Sequence, residues 1–444
     1  MNYSIILYIV GKVMMLEAAC FLIPAVTSII YGEHEGLAYL TVGVVAAVIG
    51  YLISSKKKFE HVFFAREGFV MVALSWIVLS VVGAIPFVVT GEIPNMIDAL
   101  FETVSGFTTT GASILEDVES LSHTSLIWRS FTHWVGGMGV IVLLLAILPM
   151  AGGYNMHLMK AESPGPVVGK LVPRLRDTAK ILYLIYLAMT VIEFVILVII
   201  KMPVFDALCI TFGTAGTGGF GIKADSIGSY SYAIQVVVTI FMILFGVNFN
   251  AYFVLLGKHK KEAFKIEEVR WYFGIIFAAI VIITVNIRGY FDNILTALNH
   301  AAFQVGSIIT TTGYSTTDFD RWPQLSRNIL IFLMMCGACA GSTGGGLKVS
   351  RIVVMVKSAF QEIGYYIHPR GVKTIKMDGK VLEKPVLNSI RVFLITYVMI
   401  YTISMFLLSL NNFDFETNFT AIAATFNNIG PGLAKVGPMA NFNI

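Results

Sequence analysis

The word FTTTGAS at 107–113 returns as ITTTGYS at 309–315. A tight turn requires its glycine but not three threonines ahead of it. What the combination supplies is oxygen. In an extended Thr-Thr-Gly stretch the backbone carbonyls have no helix partner, and threonine hydroxyls add oxygens or pin the loop to its neighbours. Glycine reaches the backbone angles that aim a carbonyl inward. Two weaker relatives share the layout, TAGTGGFG at 214–221 and NNIGPG at 427–432. The candidate oxygen-bearing residues are therefore Thr109, Thr110 and Gly111; Thr217, Gly218 and Gly219; Thr311, Thr312 and Gly313; and Asn428, Ile429 and Gly430. Stacked rings of such oxygens replace the water shell of a bare cation, which is the chemistry of an ion filter. In the second word the register is open between Gly218 and Gly219; Gly219 is chosen because its Gly-Phe parallels Gly313-Tyr314. In the fourth, Pro431 keeps Gly430 out of helical geometry. One such word reads as an ordinary polar loop; four in equivalent settings do not.

The settings are equivalent because each word ends a short apolar segment: NMIDALFETVSG, VFDALCITFG, FDNILTALNHAAFQVGS and FDFETNFTAIAATF. These are too short to span a bilayer and too apolar for water, so they read as re-entrant helices enclosed by protein. Asp98 and Asp206 each lie thirteen residues before Gly111 and Gly219, while Asp292, Asp414 and Glu416 precede the other two at unequal distances. The expectation is an acidic cap on each short helix. Its partly negative end then points inward, toward a cation.

The rest of the chain supplies the membrane. Of 444 residues, 56% are hydrophobic and 13% charged, with a mean hydropathy of +0.78; soluble domains carry about a quarter charged residues. Spanning runs fall near 42–53, 69–89, 137–148, 181–200, 233–256, 273–287, 328–340 and 392–410, and residues 3–30 read as a retained first helix. Strand alternation is absent, so the fold class is an all-α polytopic membrane protein. Two N-terminal helices (1–60) precede four helix–pore-loop–helix units at 61–155, 156–260, 261–362 and 363–444, in pseudo-fourfold arrangement around one pore. The chain stops about a dozen residues after Gly432, fewer than the about 20 of a spanning helix, so the last return helix is expected to be missing.

Basic residues cluster at Lys56–Lys58 with Arg66, at Lys160–Lys180, at Lys258–Arg270, and as eight Lys/Arg between Lys348 and Lys384. The intervening loops are acidic, with Glu33, Glu92, Glu116, Asp117 and Asp318 among them. The positive-inside rule then makes the N-terminus cytoplasmic and sets the Thr/Gly words toward the outer side. Basic clusters at membrane ends exclude a nucleic-acid face. No nucleophile–base or metal-ligand spacing appears, so the chain does not read as an enzyme and no cofactor is expected. CGAC at 336–339 lacks a second pair and reads as small residues in helix packing. Lys12 with Glu17, and Glu193, are expected to pair or face neighbouring helices; His133 and His300 to form interhelical hydrogen bonds; Trp128 and Arg129 to anchor a helix end at the interface.

The stretch MCGACAGSTGGGLKVSRI at 335–352 interrupts the third unit's return helix. Its glycines each cost about 1 kcal/mol against alanine in a helix, so an irregular intramembrane loop is expected beneath the filter. Lys348 lacks the flanking residues of a phosphate loop.

The words SGFTTTGAS, HAAFQVGSIITTTGYS, GSTGGGLKVSRI, NNIGPGL and AESPGPVVGKLVPRLRDTAK together resemble the TrkH/KtrB/HKT superfamily of potassium-translocating subunits, over essentially the whole chain. The two extra N-terminal helices place the resemblance nearest its TrkH branch. The resemblance implies potassium as the substrate, uptake across the inner membrane of the cell, and Gly111, Gly219, Gly313 and Gly430 as filter glycines. It implies a gate made of Gly341, Ser342, Thr343, Gly344, Gly345, Gly346 and Lys348. It also implies a homodimer on a ring of TrkA-like subunits that bind adenine nucleotides. One glycine per strand predicts weaker discrimination of potassium from sodium than in a potassium channel. The alternative is a secondary transporter coupling potassium to protons or sodium, for which broken helices are also usual.

Overall fold

The computed structural model describes residues 3–55, 65–137, 139, 175–257, 260–368 and 374–443. The spanning run near 137–148, the basic clusters at 56–58 and 160–174, and most of AESPGPVVGKLVPRLRDTAK lie outside the described residues.

Helices α1 (Tyr3–Cys20) and α2 (Leu22–Tyr31) form one 29-residue span. Pro24 cannot donate to Cys20, and the helix is interrupted between them at Phe21. Helix α3 (Gly36–Ser55) packs back against α1 where Gly11 faces Gly50; a methyl on either would sit 2.6 Å from the other's carbonyl oxygen. Small residues bring membrane helices to this range.

Four repeats follow. The first comprises α4 (Ala65–Thr90), α5 (Met96–Phe107) and α6 (His123–Gly137). The second comprises α7 (Leu175–Ile199), α8 (Val204–Gly216), α9 (Tyr232–Phe245) and α10 (Phe249–Leu256). After a single turn α11 (Lys260–Ala263), the third comprises α12 (Glu267–Ile287), α13 (Ile294–Ile309), α14 (Gln324–Cys336) and α15 (Val349–Ile367). A small hairpin, β1 (Lys376–Met377) with β2 (Lys380–Val381), leads to the fourth, α16 (Lys384–Leu408) and α17 (Phe415–Phe426).

Among the described residues six helices are long and apolar enough to cross a membrane, or seven if α9 and α10, bent by 91°, count as one. The run expected at 328–340 lies four residues earlier: α14 starts at Gln324 and ends at Cys336, where Gly337 has φ 71°. Helices α5, α8, α13 and α17 have 12, 13, 16 and 12 residues. At about 1.5 Å per residue they reach only part-way through a core of about 30 Å. Helix α16 buries only Ile390 and Tyr401, and its exposed Val392, Ile395, Val398 and Phe406 suit a lipid-facing surface.

Candidate functional site: a ring of four Thr/Gly turns

Side-chain oxygens cap three of the short helices, and only one of the three is an expected acid. Asn95 accepts from the N–H of Ile97 at 2.9 Å, Asn293 from Leu295 at 3.0 Å, and Asp414 from Thr417 at 2.9 Å. Helix α8 begins after Pro203 with no side-chain cap. Asp98 and Asp206 sit inside the first turn, where they still complement the helix dipole. Of the expected acidic caps only Asp414 is one, and the hydrogen bonds from Thr417 hold its carboxyl below the usual range.

All four short helices end the same way. The N–H groups of Thr110, Gly218, Thr312 and Ile429 donate to Ser105, Gly213, Ser307 and Ala424, at 2.8, 2.8, 2.8 and 2.7 Å. One residue earlier, Thr109, Thr217, Thr311 and Asn428 donate to Gly106, Thr214, Ile308 and Thr425, at 3.0, 3.0, 3.1 and 3.3 Å. This is the Schellman arrangement, and it demands a left-handed residue at the second position. Thr109, Thr217, Thr311 and Asn428 accordingly have φ of 59°, 53°, 59° and 56°. Left-handed backbone is costly for β-branched threonine and much easier for asparagine. That is why a word without threonine fits the fourth repeat.

Two residues on, Gly111, Gly219, Gly313 and Gly430 are again left-handed, at φ 76°, 79°, 88° and 95°. Gly219, not Gly218, is thus in register with the other three. A methyl at Gly111 would land on the Gly218 carbonyl oxygen, one at Gly219 on that of Thr312, and one at Gly313 on that of Ile429. One at Gly430 would crowd the oxygens of Thr110 and Gly111. The contacts run from repeat one to two, three, four and back to one. They close a ring. A cavity of about 100 Å³ lies at the ring, lined by the four glycines with Ser113 and Arg129.

The threonine hydroxyls bind the protein itself. Thr108 and Thr110 share a hydrogen bond of 2.9 Å, Thr310 and Thr312 one of 2.8 Å, and Thr110 donates to Asn428 Oδ1 at 2.9 Å across repeats one and four. Thr109 and Thr217 bond the preceding carbonyls at 2.6 Å. The three-threonine word therefore serves as internal bracing for a strained turn.

Residues behind the ring were legible only in part. Arg129 and Trp128 were expected at a membrane interface, yet both are buried. Arg129 pairs with Glu102 at 2.6 Å, donates to the Gly221 carbonyl at 3.3 Å, and lies 4.0 Å from the Phe220 ring centre. Glu102 also accepts from Ser113 Oγ at 3.0 Å and the Ile114 N–H at 3.2 Å. The pair thus braces the chain beyond Gly111 and beyond Gly219. Its signal in the sequence was a second carboxylate, Glu102, a turn beyond Asp98 in an apolar short helix, since buried charges require partners. His133 makes the expected interhelical bond, to backbone: Nδ1 donates to Gly106 O in α5 at 2.8 Å, and Nε2 accepts from the Phe220 N–H at 3.2 Å. Those roles require the neutral ring protonated on Nδ1. His300 bonds Thr316 at 2.8 Å. Glu33 caps α6 through Thr124 and His123; burial raises its carboxyl, but these hydrogen bonds outweigh it and hold it below the usual value. Lys12 does not reach Glu17 but lies against the Tyr8 ring, 5.6 Å from its centre, while Glu17 faces Gly83.

Residues 337–348 between α14 and α15 form an irregular loop against the ring. The Gly345 N–H donates to Thr311 Oγ1 at 2.6 Å; methyls at Gly344 and Gly345 would meet the carbonyl oxygens of Thr310 and Asn427. Ser342 bonds the Cys339 carbonyl at 2.6 Å, Thr343 that of Phe245 at 3.3 Å, and the Lys348 ammonium that of Gly344. Gly341 and Gly346 are left-handed at φ 71° and 76°, as is Lys348 at 77°. Cys336 ends α14 while Cys339 lies in the loop and not in a helix as expected; both are buried and unbridged.

Known proteins share this architecture. The profile of the TrkH family, described as cation transport protein, matches residues 39–442. The Trk system potassium uptake protein TrkH of Salmonella typhimurium is 38% identical over 98% of this chain and 92% of its own length. TrkG of Escherichia coli is 32% identical over 97% of this chain and 90% of its own. The crystal structure of the potassium transporter TrkH from Vibrio parahaemolyticus superposes with a TM-score of 0.89 at 33% identity, covering 100% of this chain and 93% of that one. With a family profile across most of its length and relatives this similar from end to end, the chain belongs to the TrkH family of cation transport proteins.

Proposed function

We propose that this chain is the ion-conducting subunit of a Trk-type potassium uptake system in the cell inner membrane, and that potassium crosses through the ring of four Thr/Gly turns. The observation that carries the reading is the cyclic contact of Gly111, Gly219, Gly313 and Gly430 with the next repeat's carbonyl oxygen. Backbone oxygens held in that closed order stand in for a cation's hydration shell. The C-terminal ends of α5, α8, α13 and α17 converge there and add partial negative charge. The loop 337–348 acts as the gate, and the basic clusters set the N-terminus and that side of the loop toward the cytoplasm. A homodimer and a nucleotide-binding regulatory ring complete the system.

Purified protein in proteoliposomes tests the mechanism through rubidium uptake with no sodium or proton gradient. Uptake that persists supports a channel-like pathway with four like-handed repeats. Uptake that stops without a second gradient overturns it in favour of a coupled transporter.

A further inference from the structure

The loop is held at both ends by one carboxylate. Glu268, in the first turn of α12, is 4% exposed. Its Oε1 accepts the Ala340 N–H at 2.7 Å and the Ser350 N–H at 3.1 Å, residues that bracket the segment 341–349. Its Oε2 faces Asn248 Nδ2 at 3.4 Å, at the 91° elbow between α9 and α10. That elbow touches the same loop: the Phe249 N–H donates to Gly341 O at 2.9 Å, and the Cys339 N–H to Gly246 O at 3.1 Å. The next residue back points elsewhere. Glu267 pairs with Lys357, and its N–H donates to Asp378 at the tip of the hairpin at 2.7 Å. Lys357 in turn donates to the Lys376 carbonyl at 2.7 Å. Adjacent residues of one helical turn therefore join the loop to the surface hairpin.

Hydrogen bonds to a charged acceptor are the stronger kind, and burial leaves no water to replace them. We propose that Glu268 is the positioning residue that latches the loop beneath the ring, and that the first turn of α12 passes movement of the 376–381 hairpin to it. This rests on the loop being the gate. No bond from Glu268 reaches the ring itself, so the latch acts on ion flow without acting on ion choice.

The test is rubidium flux through full-length protein in proteoliposomes, with sodium flux measured beside it. Glu268→Ala is expected to raise rubidium flux about fivefold or more, the equivalent of about 1 kcal/mol at 1.4 kcal/mol per tenfold, with the rubidium-to-sodium ratio unchanged. Glu268→Gln, which keeps an acceptor oxygen, is expected to show less than half of that rise. Ser350→Pro removes one donor in the first turn of α15, where proline is tolerated, and is expected to raise flux even where the alanine variant fails to fold. Deletion of 341–346 is the control for the gate. If the deletion raises flux while Glu268→Ala and Ser350→Pro leave it unchanged or lower, the latch is overturned and the gate stands. If the deletion itself leaves flux unchanged, the gating reading falls and the latch with it. An altered rubidium-to-sodium ratio in Glu268→Ala would also overturn the latch, since it would make Glu268 part of the ring's own support.

Discussion

Arg129 and Glu102 form an ion pair of 2.6 Å with side chains 2% and 0% exposed. Arg129 lines the cavity at the ring, and the pair's remaining bonds reach Gly221 on one strand and Ser113 and Ile114 on the other. Removing one member of such a pair strands a buried charge, which costs about 3–5 kcal/mol. Arg129→Ala and Glu102→Ala should each lower the detergent thermal midpoint sharply, whereas a joint Glu102→Leu/Arg129→Met replacement should recover much of the loss. Single variants as stable as wild type in a fluorescence melt would show that the pair does not support the strands.

The four ring glycines have no room for a methyl. Alanine at Gly219 or Gly313 meets backbone oxygen, which cannot yield as a side chain tip does. Overpacking of this kind costs about 1–3 kcal/mol, and each substitution is expected to cut rubidium uptake about tenfold or more. Gly274, with nothing near its missing side chain, is the comparison. Equal uptake by Gly219→Ala and Gly274→Ala would remove the ring from the conduction pathway.

Left-handed threonine at 109, 217 and 311 stores strain that asparagine at 428 largely avoids. Residues in such regions cost about 1–3 kcal/mol, so Thr217→Asn should melt no earlier than wild type and up to about 1 kcal/mol later. Thr217→Val keeps the branching, loses the bond to Gly216, and should melt earlier. Equal destabilisation by both variants would rule out backbone strain as the reason.

Glu33, despite its burial, and Asp414 are both held below their ordinary carboxyl range by hydrogen bonds from the residues they cap, the Thr124 and Thr417 hydroxyls first and the backbone N–H groups after them. A lowered folded value means the contribution is present above the unfolded value and fades as pH falls through the folded one. The thermal midpoint should therefore drop more steeply below about pH 4 in the wild type than in a Glu33→Gln/Asp414→Asn double variant. Parallel curves for the two proteins would contradict the capping account.

Hydropathy located the spans at 3–31 and 36–55 because length and composition alone decide what crosses a bilayer. The interruption after Cys336 was visible as clustered glycine. Asparagine displaces the neighbouring acid as cap in two repeats: Asn95 three residues ahead of Asp98, and Asn293 one residue after Asp292. Lys12 and Glu17 are five positions apart, about 140° around a helix, so their separation already argued against a pair. Arg129 met Glu102, and Glu268 met Ala340 and Ser350, only through packing of distant segments. No local spacing encodes such meetings.

The Thr110–Asn428 bond joins the first repeat to the last, where the others carry no asparagine. Four identical subunits would alter every quadrant of such a ring with a single codon. Here one base change touches one quarter alone, so selection can adjust the ring in small, lopsided steps while three quarters keep their shape.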